Sequence, residues 1–120
     1  MDVEGHECEI ISGMLKFIKT KFFRPHICFE PHITSYSKNN NFSKILRELF
    51  SNGYYTNLLS SNAEGGTKKI SLVTNKECFI KITSDGEQRG IFKNVGSEET
   101  IKILTKTGGA RTVLLSPKNQ

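Results

Sequence analysis

The chain has 120 residues, 36% of them hydrophobic, and its 17 basic and 12 acidic side chains leave a net charge of +5. That length supports one domain with a single core, and the low apolar share, partly offset by eight Phe, also fits a piece of a larger sheet. No apolar run approaches the roughly 18 residues of a membrane helix, and the scattered lysines lack the single stripe of a nucleic-acid binder, so neither partner is expected.

The first residues, Met1-Asp2-Val3-Glu4, have neither the basic region nor the apolar stretch of a signal peptide. Cys8, Cys28 and Cys78 are too sparse for a disulfide framework and are expected as reduced thiols of a cytoplasmic protein.

In chain order, Ile10, Ile11, Met14, Leu15 and Ile18 recur at helical spacing and predict a helix from about Glu7 to Thr20, stopped by Pro25. His26 to Glu30 follows as a strand whose continuously apolar centre suits cover on both faces. Thr34 to Asn41 is a polar loop. A second helix is expected from Phe42 to Asn52, with Asn41 as its cap, a stripe of Phe42, Ile45, Leu46, Leu49 and Phe50, and Gly53 as its stop. Tyr54 to Leu59 reads as a strand. The order helix, strand, helix, strand argues for a doubly wound α/β sheet.

The middle departs from that order. Ser60 to Thr67 reads as a loop, Ile70 to Thr74 and Cys78 to Thr83 as short strands, Ser84-Asp85-Gly86-Glu87 as a turn, and Ile91 to Val95 as another strand. Residues 60–109 are therefore expected to hold a β-rich insertion. Ser97 is placed to cap a short helix with Ile101 and Leu104 facing inward, and Thr112 to Ser116 predicts a final strand before Pro117.

Carboxylates cluster at the first turn: Asp2, Glu4 and Glu7 surround Gly5-His6. Acidic side chains at a strand's carboxyl edge suit chemistry, and they equally suit the N-terminus of a helix. The alternation His26, Cys28, Glu30, His32 also puts zinc-type ligands on one strand face, although Cys-x-x-Cys spacing is absent and a second ligating element is needed.

The spacing Asp2-Val3-Glu4-Gly5-x-Glu7, with Gly13-Met14 in the helix, resembles the FkbM-type SAM-dependent methyltransferases. The likeness continues through Pro25 and the strand ending in Glu30, then His32, then Ser51-Asn52-Gly53-Tyr54. It is weaker over Thr112-Val113-Leu114-Leu115-Ser116-Pro117 and absent from 60 to 109. The resemblance implies one domain over 1–120, the C-terminal part of a Rossmann-like doubly wound methyltransferase sheet. It puts Asp2 near S-adenosylmethionine and the acceptor, Glu4 beside it, and Glu30 and His32 at the cleft, ahead of His6. It implies methyl transfer, most readily to the oxygen of a small molecule or sugar, with a carboxylate or histidine as base.

In that family the glycine-rich cofactor loop lies upstream of this motif. Gly65-Gly66 and Gly108-Gly109 are not expected to replace it, as neither reads as following a strand and opening a helix. The chain is thus expected to lack the cofactor half and to bind S-adenosylmethionine weakly or not at all. The alternative is a non-catalytic interaction module that pairs through an exposed sheet edge, as a homodimer or with a chain carrying the missing half.

Overall fold

The computed structural model describes residues 7–20, 23–32 and 42–118. The elements are α1 (Glu7–Lys19), β1 (Ile27–Phe29), α2 (Phe42–Ser51), β2 (Tyr54–Ser61), α3 (Glu64–Thr74), β3 (Ile80–Ser84), β4 (Glu87–Val95), α4 (Ser97–Lys102) and β5 (Ala110–Pro117), with a π-helical turn at Ile103–Thr107 extending α4. The fold is mixed α/β.

One five-stranded sheet runs in the order β1-β5-β2-β4-β3, and every neighbouring pair is antiparallel. Since β5 opposes both β1 and β2, those two strands point the same way. Since β4 opposes both β2 and β3, β3 shares their direction. Helices α2 and α3 therefore link same-direction strands across a one-strand gap, α4 links β4 to β5 likewise, and only β3–β4 is a hairpin. The run from β2 to β5 has the βαββαβ order of ferredoxin-like, split βαβ arrangements.

The sheet differs here from the doubly wound expectation, in which same-direction strands lie side by side. The strands β4 and β5 return into the gaps, so no two adjacent strands among the described residues are parallel.

The helices share one face, with α1 touching α2, α2 touching α4, and α4 touching α3. Between the layers Ile11, Leu15 and Ile18 of α1, Leu46 and Leu49 of α2, and Ile70 of α3 pack on Ile27, Phe29, Leu59, Phe92, Val113 and Leu115. This is a two-layer solution to burying an apolar sheet face. Within it, the hydroxyls of Thr56 and Thr100 satisfy each other at 2.7 Å and tie α4 to β2. The other face carries the cross-strand row Cys28, Leu114, Leu58 and Lys93. Its leucines are half-buried, and Cys28 and Lys93 are exposed.

Several local expectations need correction. The β1 strand is covered on one face only, with Ile27 and Phe29 buried and Cys28 exposed. Residues Ile70 to Thr74 are helical: Gly66 and Ile70 lie one turn apart and both are buried, so packing overrides the β-branched composition. The Gly65-Gly66 pair does follow a strand and does open a helix, contrary to the loop assigned to Ser60–Thr67. The interval 60–109 thus contains α3 as well as the hairpin. Ser97 is the first residue of α4 rather than its cap; Gly96 takes that place without a side-chain bond. Asn41 lies outside the described residues. The Asp85-Gly86 turn is as expected, with both residues at positive φ, the conformation of a two-residue hairpin.

The α2–β2 junction is held by Arg24, whose Nη2 donates to the Asn52 and Gly53 carbonyls at 2.8 and 3.3 Å. Its guanidinium lies over the Tyr54 ring at 5.3 Å. The buried Tyr54 hydroxyl donates to Pro25 O at 2.7 Å. Burial pushes the Tyr54 phenol above its ordinary value of 10.0, and the Arg24 charge pulls in the opposite direction. A raised folded-state value means that the folded chain holds this proton more tightly than the unfolded one. The stabilisation is therefore complete below about pH 10 and is lost as pH rises through the folded value. Urea midpoints between pH 9 and 11 should fall less steeply for Tyr54→Phe than for the parent. At pH 7 that variant should lose about 1 kcal/mol, because the Pro25 carbonyl is left without its donor.

Candidate functional site

Because β1 and β2 point the same way, their carboxyl ends share one edge of the sheet, the edge where ligands of helix-crossover sheets gather. At the end of β1 stand Glu30 and His32, both half-buried. The antiparallel strands β4 and β5 begin at this edge. From β5, Arg111 Nη2 reaches Glu30 Oε1 at 3.3 Å, a partly exposed ion pair that orients the carboxylate more than it stabilises the fold.

Beside this pair, β4 runs past the end of β2, while β5 begins level with it, and a cleft of about 500 Å³ lies there. Asn62, just ahead of α3, and Gly65, Gly66 and Lys69 of α3 form one wall; Glu87 and Arg89 of β4, Gly109 just before β5, and Arg111 of β5 complete it. The chain enters α3 without a side-chain cap at Ala63, and the first helical bond is Thr67 N–H to Ala63 O at 3.0 Å. The α3 helix is pinned to the sheet by a small hydroxyl network. Ser61 Oγ lies 2.7 Å from Thr67 Oγ1 and accepts the Gly90 N–H at 2.8 Å.

Of the residues expected at a catalytic cleft, Glu30 and His32 follow β1 at this edge, and neither lines the cleft beyond β2. Asp2, Glu4 and His6 lie outside the described residues. His26, at the opposite end of β1, shares a 2.8 Å hydrogen bond between its Nδ1 and Ser116 Oγ, which also accepts from Asn57 Nδ2 at 3.2 Å. Among the described residues no three His, Cys, Asp or Glu side chains are grouped to hold a metal ion. No described helix is long and apolar enough to cross a membrane.

Lys69, Arg89 and Arg111 were not legible as site residues. They come from three separate segments, and reading 60–74 as a loop and a strand hides Lys69. The usable signal was the helical spacing of Gly66, Ile70 and Val73.

No protein-family model, curated protein or solved structure matches this chain.

Proposed function

We propose that this chain is the C-terminal portion of a Rossmann-like, FkbM-type SAM-dependent methyltransferase, acting on a hydroxyl of a small molecule or sugar. The observation that carries the reading is the ordered segment from Asp2-Val3-Glu4-Gly5-x-Glu7 to the strand ending in Glu30 and the helix ending at Gly53-Tyr54. The β1–α2–β2 crossover supports it, since two same-direction strands put their carboxyl ends, and Glu30 with them, on one edge. Asp2 and Glu4 would stand near the methyl donor and acceptor. S-adenosylmethionine, when bound, would supply the methyl group by breaking its methyl–sulfur bond and leaving as the thioether, and Glu30 or His32 would take the proton of the hydroxyl that accepts the methyl. Arg111 orients Glu30 for that role through their 3.3 Å ion pair.

Titration calorimetry of S-adenosylmethionine into the 120-residue chain should give no detectable heat up to millimolar ligand. Fused behind the cofactor-binding half of an FkbM methyltransferase, the chain should restore transfer of a labelled methyl group. Asp2→Asn in the fusion should lower that transfer on the order of a hundredfold. A folded, cofactor-binding fusion that transfers no methyl group to a panel of small-molecule and sugar hydroxyls would sink the reading. Micromolar binding by the chain alone would sink the division between the two halves.

A second reading, an interaction module, rests on the outer edge of the sheet. There, among the described residues, β3 has no strand on its outer side and exposes Ile80 and Ile82, next to Phe79, which is 58% exposed. Such an edge is a template for another strand. Light scattering should then report a dimer that Ile82→Lys converts to monomer; a monomeric parent chain at high concentration rules out self-pairing.

A further inference from the structure

The cleft beyond the end of β2 holds positive charge that methyl transfer does not use. The Arg89 side chain is 8% exposed. Its Nε donates to Ser84 O at 3.3 Å. The nearest carboxylate oxygen, on exposed Asp85, stands 3.9 Å from Nη2, beyond hydrogen-bond reach. Among the described residues no acceptor engages the terminal nitrogens of the fork. The one buried polar side-chain atom without a partner among the described residues is Arg24 Nε, so the open end of the Arg89 fork still reaches water, and an anion arriving there can complete its hydrogen bonds.

Two further cations line the same cleft, Lys69 from α3 and Arg111 from β5. The acidic groups nearby are Glu87, which lines the cleft, Glu64, exposed in the first turn of α3, Glu30, which pairs with Arg111, and Asp85 beside Arg89. The lining itself therefore sets three cations against one carboxylate. The uncapped first turn of α3 adds backbone N–H groups and the positive end of its dipole. At Gly65 nothing stands within 4 Å of the position a Cβ would take, so that stretch of backbone is open to a ligand.

We propose that this cleft binds a phosphate-bearing small molecule, with the phosphate between the Arg89 fork, Lys69 and the first turn of α3. Arg89 supplies planar two-point recognition, and Lys69 supplies a mobile charge. The volume of about 500 Å³ exceeds that of a phosphate and accommodates the group esterified to it. Apart from Arg111, which also pairs with Glu30, this site uses no residue of the methyl-transfer reading and does not rest on it.

The test is an NMR titration of the isotope-labelled 120-residue chain with inorganic phosphate at constant ionic strength. Saturable shifts are expected at the Gly65 and Gly66 amides and at the Arg89 Nε–H, with chloride producing none. Lys69→Gln should weaken binding about fivefold and Arg89→Gln more than tenfold, while Lys102→Gln on α4 should leave it unchanged. If Arg89→Gln does not fold, the comparison of Lys69→Gln with Lys102→Gln decides alone. Shifts that fail to saturate, that spread over lysines elsewhere, or that are the same in Lys69→Gln as in the parent would overturn the proposal.

Discussion

Leu59→Ala is expected to lower the free energy of unfolding by about 3 kcal/mol, within the range for emptying a fully buried leucine site. Leu59 is 0% exposed. It sits on the central strand, in register with Phe92 on one side and Val113 on the other, and faces the helices. No small rotation of a neighbour can fill the space left by its side chain, because both flanking residues belong to the same rigid sheet. Set against a domain stability on the order of 5–15 kcal/mol, this is a large fraction. Leu58→Ala supplies the internal control. That side chain lies on the opposite face, half-buried in the row of Cys28, Leu114 and Lys93, and its loss should amount to about 1 kcal/mol or less. Urea unfolding of both variants measures the difference, and equal losses would mean that the outer face is as well covered as the inner one.

Gly66→Ala and Gly65→Ala are expected to shift stability in opposite directions, although the two glycines are adjacent in one helix. A methyl group on Gly66 would overlap the Gly109 carbonyl oxygen and the Asn62 side-chain oxygen. The exposed Asn62 amide can rotate away, but the Gly109 carbonyl cannot yield cheaply. It accepts the Asn62 N–H at 2.8 Å, and a Cβ built on Gly109, at φ +95°, would itself stand 3.0 Å from the Gly66 Cα. The helix α3 must then lift off the sheet, which costs about 2–3 kcal/mol, in line with overpacking of a close contact. A methyl on Gly65 meets nothing, so helix propensity and a stiffer unfolded chain should raise stability by up to about 1 kcal/mol. Thermal unfolding of the pair reads the sign directly. Two variants that shift alike would remove the close approach of α3 to the β5 entrance as the reason for this glycine.

The helices α1 and α2 were legible because their apolar residues fall on one stripe, and that stripe is what Leu15, Ile18, Leu46 and Leu49 bury. The β3–β4 turn was legible from Asp85-Gly86, where local backbone chemistry decides. The helix α3 was not. Its β-branched Ile70, Val73 and Thr74 favour a strand, and Leu72, which such a strand would use, is 84% exposed. What makes the helix is a contact between Gly66 and Gly109, 43 positions apart, that no window of sequence contains. The pairing order of the strands was hidden for the same reason. At the edge of the sheet, Glu30 could be picked out as a carboxylate closing a strand. Its partner Arg111 could not, because only the antiparallel return of β5 beside β1 brings the two together.

That return also orders events during synthesis. Among the described residues, β1 is joined to the rest of the sheet solely through β5, which hydrogen-bonds to β1 on one side and β2 on the other. When β2, α3 and the β3–β4 hairpin have left the ribosome, they can already pair with one another, whereas β1 still has no strand to join. The slot between β1 and β2 stays open until the fifth strand emerges, and closing it requires contacts spanning nearly ninety residues, as in Ile27 with Leu115. Folding of this chain should therefore finish late and all at once, with an intermediate that exposes the apolar flanks of the slot to chaperones or to a stray strand from another molecule.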